Sequence, residues 1–467
     1  MSGRDLLLAA GAALCLTLPG GATRADAAFA EAYAALLEQG DIEAAIALAT
    51  EAAGDAPADG QAQFALGAGQ FLLAVERLGH GLYRYGLASE YRTGMAGGLV
   101  GLPVLRLPVP PNPAPDPVTY KGLRELLDGF VTDLATANDT LAQVGPEPFD
   151  LPLDMALVRI DIDGDGKVSR TDSLPYYLMA VSGMAGMGTP DMPDFLVDFD
   201  QSDAPWLQGY CHLLSAMASF PLAHDWEAAY EATFHDLFPA GEMAGAGIRD
   251  ETRRMMDSIE DFRNPDGSLP EFPQKPEDVE WADWVETQEY QRWRAFQKIM
   301  NVYEFGGIAD LVAFVHLFRW PVIEPDRMAD VRTHLLGMTE RSRENWTRIL
   351  AETDDKREWL PAPGQSGIFP RLTVTEERVA GWQRFLDVSD AVLNGEALVP
   401  HWRFAGGKGV NIRRLFEEPT TFDPILIAQG AAVLPYLEEG EVVQEDVVAE
   451  IGDLIGRGFF AYFVWFN

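Results

Sequence analysis

Apolar residues recur at helical spacing along most of the chain, and proline-rich stretches cut this helical text into blocks. From Ala28 to about Leu87 the sequence is alanine-rich and reads as helix. Seven prolines between Pro103 and Pro117 follow. Each fixes its own φ and turns its predecessor away from α, so 103–118 is expected to be a linker or an extended arm. Helix resumes from Tyr120 to about Val144, and the Gly- and Met-rich stretch from Gly183 to Pro193 reads as an irregular connection. Asp203 is placed as an N-cap, with Pro205 in the first turn of a helix running to about Ser219. The next helix is expected from about His224 to Phe238, burying Trp226, Tyr230, Phe234 and Leu237. A second break, from Pro265 to Pro276, opens with an Asn264–Gly267 turn and precedes helical stretches at about 280–300, 303–320 and 326–352. Met328, Val331, Leu335, Met338, Trp346 and Ile349 form the apolar stripe of the last. A third break surrounds Pro361, Pro363 and Pro370. Thr373 and Glu376 then have capping-box spacing before a helix that buries Val379, Trp382, Phe385, Leu386 and Leu393. Short strands are expected near 368–374 and at the C-terminus, where the aromatic run from Phe459 to Phe466 reads as a plug closing the core. The pattern predicts a large all-α protein whose main body spans 119–467.

Composition adds an address and some exclusions. Arg4, the apolar run from Leu6 to Leu18, then Pro19-Gly20-Gly21 and Ala25-Asp26-Ala27 have the layout of an export signal over 1–27, with a mature chain starting at Ala28 in the periplasm or outside the cell. Leu14 before Cys15 does not suit a lipoprotein, and no later run has the 18 uninterrupted apolar residues of a membrane helix. Cys15 leaves with the signal, so Cys211 has no disulfide partner. The net charge of −37, from 72 acids against 35 bases, argues against nucleic acid or an anionic membrane as partner. With 47% hydrophobic residues, so long a chain can bury a sizeable core without disulfides.

Ala45, Ala52, Pro57, Leu66 and Gly67 fall where a tetratricopeptide repeat places its small residues, closing proline and next Leu-Gly pair. The stretch resembles little more than one repeat. A single repeat cannot bury its own face, so 28–102 is expected to be a helical hairpin docked on the main body.

The most specific chemistry lies in Asp161–Asp172, DIDGDGKVSRTD. Carboxylates stand at loop positions 1, 3, 5 and 12 (Asp161, Asp163, Asp165, Asp172), with Gly166 at 6 and Ser169 at 9. A hard cation needs six or seven oxygens, and this spacing gathers side-chain oxygens, the Lys167 carbonyl and a Ser169-held water about one point. The loop resembles an EF-hand calcium loop, in the dockerin-like variant that ends in Asp. That resemblance implies calcium as the ion. Leu153, Ala156, Leu157 and Ile160 suggest an entering helix, and Pro175 is expected to interrupt the start of the exiting one. The nearest approach to a second loop, Asp198, Asp200 and Asp203, lacks the glycine and the terminal acid.

Other candidates carry less. His224, Glu227, Glu231 and His235 share one face of the expected helix; facing a partner helix they would suit zinc or iron, but the buried aromatics lie opposite, so a solvated row is expected. His316 and His334 stand singly in helices, and Gly364-Gln365-Ser366-Gly367 is not a hydrolase nucleophile elbow. From Ala397 to Phe416 the chain has no acid, and His401, Arg403, Lys408, Arg413 and Arg414 gather there with Gly406, Gly407 and Gly409. This is a candidate site for a small anionic ligand, with pairing to internal acids as the alternative. Two functional classes follow: an exported, calcium-stabilised binding or scaffold protein with a protein partner, or an exported enzyme, such as a hydrolase, with a structural calcium and a site near 401–414.

Overall fold

The computed structural model describes residues 24–88, 109–167, 169, 172–181, 195–245, 254–353, 355–368, 373–404 and 406–444. The expected signal up to residue 23, the arm up to residue 108, the 183–193 connection and the Phe459–Phe466 plug lie outside them. Among the described residues the structure is 56% helix and 7% strand with no barrel, so the all-α expectation holds at the level of class.

Polar side chains start several helices by satisfying N–H groups that have no partner in the first turn. Asp41 caps α2 (Ile42–Asp55), which follows α1 (Arg24–Glu38); Asp59 caps α3 (Gly60–Arg84), and Thr119 caps α4 (Tyr120–Leu141). Strand β1 (Leu151–Asp154), helix α5 (Leu174–Val181) and strand β2 (Leu196–Phe199) come next, then α6 (Asp203–Leu222) and α7 (Glu227–Thr233). A long α8 (Gln288–Leu317) leads to α9 (Pro325–Ile349) and α10 (Glu376–Leu393). Near the C-terminal end, β3 (Lys408–Val410), α11 (Ile412–Glu417), α12 (Pro424–Gln429) and β4 (Leu437–Glu439) make a small mixed unit.

Helices α2, α3, α4, α6 and α9 pack side by side in that order, and α10 and α11 lie against α9. The main core runs through this row from Tyr33 and Leu37 to the fully buried Trp346 and Trp382. Arg124 of α4 locks the row: its guanidinium donates to the Leu222 and His224 carbonyls at 2.6 and 2.8 Å and to Glu324 at 2.7 Å. The end of α6 thus receives the donors its last turn lacks.

Several expected boundaries move. Ser202, not Asp203, precedes α6, which continues through Pro221 to Leu222. The two stretches expected at 280–300 and 303–320 are mostly one helix, α8, because neither Asn301 nor Val302 breaks a helix as Pro or Gly would. Thr375, rather than Thr373, caps α10, accepting the Arg378 N–H. The largest miss is β1 paired with β2, antiparallel, with Leu151 opposite Phe199 and Leu153 opposite Val197. All four of those side chains are buried, while Pro152 between them is exposed. Period two, not the helical period, describes LPLD and LVDF.

Candidate metal centre

The acidic loop hangs from a narrow neck. Ile160 N–H donates to the Asp172 carbonyl at 2.7 Å, Leu174 N–H donates to the Val158 carbonyl at 3.1 Å, and Arg159 bridges Ser173 in antiparallel fashion. The expected entering helix is absent: Leu153 belongs to β1, residues 155–157 form a turn, and Ile160 lies in this ladder. On the far side Pro175 is the second residue of α5 and does not disrupt it, since an N–H there has no intrahelical acceptor to lose.

Within the loop, Asp161, Asp163 and Asp165 bring carboxylate oxygens within 4.8 Å of one another. Gly164 and Gly166 make this convergence possible, with φ of +66° and +67° in the left-handed region that glycine enters without a Cβ penalty. Asp161 accepts from the N–H groups of Asp165 and Gly166 at 3.2 and 2.9 Å, and Asp172, nearly fully buried, accepts the Ser169 N–H at 2.6 Å. Lys167 reaches back to Asp165 with its ammonium at 2.8 Å, which holds the Asp165 carboxyl below its usual range. Burial, followed by the neighbouring Asp161 and Asp165, raises Asp163. Val168 lies outside the described residues.

Tyr177 of α5 was not singled out in the sequence. Its side chain is 3% exposed, and among the described residues its hydroxyl has no hydrogen-bond partner. Burial pushes this phenol up, and the charges of Asp172, Asp163 and Asp161 push it further. A buried hydroxyl left unsatisfied beside several carboxylates is costly, and a hydrated cation supplies what it lacks. The donor set of Asp161, Asp163, Asp165, Asp172, Ser169 and the Lys167 carbonyl is all oxygen, so the residues present fit a hard ion rather than a soft one.

A second group of acids joins segments that no local pattern connects. Oxygens of Asp200, Glu352 and Glu358 also lie within 4.8 Å of one another, next to the buried Asp203. Asp200 accepts from the Ser202 N–H and hydroxyl, each at 2.7 Å, Asp203 accepts the Asp200 N–H at 2.9 Å, and Glu358 accepts the Lys356 N–H at 3.1 Å. Burial first, then the Asp200 charge, pushes Glu352 up to about 8; Asp203 is raised well above its usual range for the same two reasons. Asp198 stands in the wall of a cavity of about 290 Å³ that Glu31, Gln61, Asp150 and Lys356 also line.

The expected His/Glu row does not form. His224 precedes α7, is buried, and faces the Phe220 carbonyl at 2.7 Å, while His235 is buried in the 3-10 turn after α7. Glu231 accepts the Ala244 N–H at 2.7 Å. His334 is not solitary: its Nδ1 lies 3.1 Å from that of His212, and burial, with His334 beside it, lowers His212 to about 4. In the basic window, Arg414 pairs with Glu418 and Glu438 at 2.8 and 2.9 Å, Arg413 with Glu417 at 3.5 Å, and Lys408 with Glu439 at 3.7 Å. His401 Nε2 lies 3.0 Å from the Ile427 carbonyl, and Arg403 stacks 4.2 Å over the exposed Trp402 ring. The window has no acid of its own, but α11 ends in Glu417 and β4 brings Glu438 and Glu439 alongside. Three of the five basic side chains of the window thus pair with acids.

Among the described residues no helix is long and apolar enough to cross a membrane. No protein-family model, curated protein or solved structure matches the chain.

Proposed function

We propose that this chain is an exported calcium-binding protein in which one ion, held at 161–172, stabilises a helical binding or scaffold body. The ligands in this reading are the carboxylates of Asp161, Asp163, Asp165 and Asp172, the Lys167 carbonyl and Ser169 through a water. The observation that carries it is the convergence of three loop carboxylates within 4.8 Å, near the Tyr177 hydroxyl, which has no hydrogen-bond partner among the described residues. A bound calcium supplies positive charge that offsets the repulsion among these carboxylates. The loop neck joins the β1 side of the chain to α5, so an ion there ties together two parts of the main core. Its role is therefore structural.

Binding to the native state alone raises stability by mass action, by about 2.7 kcal/mol at a hundredfold excess over Kd. Thermal unfolding in millimolar calcium and in excess chelator tests the reading. A higher melting temperature with calcium is expected, and coincident curves count against a structural ion. Export is tested separately by the N-terminus of protein recovered outside the cytoplasm. Processing before Ala28 would remove the first four residues of α1, which begins at Arg24.

A further inference from the structure

The first ligand position of the loop is held from outside the loop. The Asp161 N–H donates to Glu76 Oε2 at 3.0 Å, and the Asp161 carbonyl lies 2.5 Å from His80 Nε2, so α3 satisfies both sides of this residue. Between those two side chains stands Gly79. A Cβ there would lie 2.3 Å from Ile162 Cδ1 and 2.9 Å from its Cγ2. Ile162, the second loop residue, is fully buried, and it fills the gap that the missing Cβ leaves. His80 also flanks the turn, its Nε2 3.5 Å from where a Gly164 Cβ would be. Glu76, Gly79 and His80 are spaced i, i+3, i+4 and form one face of α3. Arg77, one residue along, points elsewhere and pairs with Asp133 of α4 at 3.0 Å.

We propose that this face of α3 is the positioning partner of the calcium loop. Glu76 and His80 fix the backbone of Asp161, Gly79 seats Ile162, and calcium occupancy is thereby coupled to the order of α3. The proposal rests on the calcium reading above. A loop whose first ligand is already held spends less of its time in conformations that cannot bind, and apparent affinity rises with the competent fraction. The coupling is reciprocal, so calcium must stabilise the α3 contacts by the same factor that those contacts improve calcium binding. Glu76 and His80 act through Asp161 and are not ligands in this account.

The experiment uses the full chain, with calcium chloride as the probe in calorimetric titration. Glu76→Ala and His80→Ala are each expected to weaken calcium binding by about tenfold, the size of one hydrogen bond. Glu76→Gln keeps an acceptor for the Asp161 N–H and should stay within about threefold of the parent. Arg77→Ala should leave the affinity unchanged. Hydrogen exchange of the parent protein supplies an arm that needs no variant: calcium should slow exchange in residues 76–84. If the parent binds calcium but Glu76→Ala and His80→Ala bind it equally well, the proposal is overturned while the calcium site stands. Unprotected α3 amides in the calcium-bound parent overturn it too, even where the alanine variants fail to fold. A parent that binds no calcium sinks the site and the proposal together.

Discussion

Replacing Gly79 by alanine sets two effects of similar size against each other. Glycine inside a helix costs about 1 kcal/mol relative to alanine, so helix propensity alone favours Gly79→Ala. Packing opposes it. The new Cβ would sit 2.3 Å from Ile162 Cδ1, where ordinary contact starts at 3.4 Å, so Ile162 must retreat by about an ångström. Ile162 is fully buried and β-branched, with few rotamers to retreat into, and overpacking of this kind costs about 1–3 kcal/mol. We expect packing to win and Gly79→Ala to destabilise by about 1 kcal/mol. Gly129 on α4 is the control, since a Cβ there meets nothing within 4 Å; Gly129→Ala should stabilise by up to about 1 kcal/mol. Ile162→Val removes the offending Cδ1 at a cost of its own of about 0.5–1.5 kcal/mol. In the double variant the two changes should couple favourably by about 1 kcal/mol. Urea unfolding of the parent, three single variants and the double, compared at matching m-values, measures all of this. If Gly79→Ala stabilises as much as Gly129→Ala, the packing of the loop against α3 is wrong.

Three further expectations use the same assay or simpler ones. Glu352 has its folded pKa raised from 4.5 to about 8, so its contribution falls away as pH rises through that interval, when the unfolded chain ionises and the folded one resists. Glu352→Gln should therefore leave stability unchanged below pH 4.5 and raise it at pH 8.5, by about 1–2 kcal/mol once solvent screening of this partly exposed group is allowed for; equal effects at both pH values would contradict the sign. Arg124→Ala strips the α6 terminus of its donors and should cost about 2–4 kcal/mol, with Arg124→Lys recovering less than half because an ammonium cannot reproduce the fork; a loss under 0.5 kcal/mol would remove Arg124 as the lock. Burial raises the Cys211 thiol far out of the reactive range, so a thiol reagent should label it in denaturant and not in the folded protein, as read by mass of the labelled peptide.

How far the chain could be read in advance depended on how local each signal was. Helices with caps and long apolar stripes were legible: the stripe of α9 buries Met328, Val331, Met338, Trp346 and Ile349 as its spacing predicts. The β1–β2 ribbon was missed because Leu153, Ala156, Leu157 and Ile160 also fit a helical period, while Pro152 and the Leu151/Leu153 alternation were the available contrary signs. Convergence of Asp161, Asp163 and Asp165 was legible because loop spacing alone dictates it. Glu76, His80 and Tyr177 were not, since only tertiary packing brings them to the loop. The same holds for Glu352 and Glu358, some 150 residues beyond Asp200. In the basic window, pairing by β4 could not be seen from the window's own composition.

Calorimetric titration of the chelator-treated protein, with Asp161→Asn/Asp163→Asn run alongside, decides whether Asp161–Asp172 holds one calcium ion. One saturable site is expected in the parent, with Kd on the order of micromolar to millimolar because an Asp stands at position 12, and no such site in the double variant. Absence of binding in the parent, or undiminished binding in the variant, would contradict it.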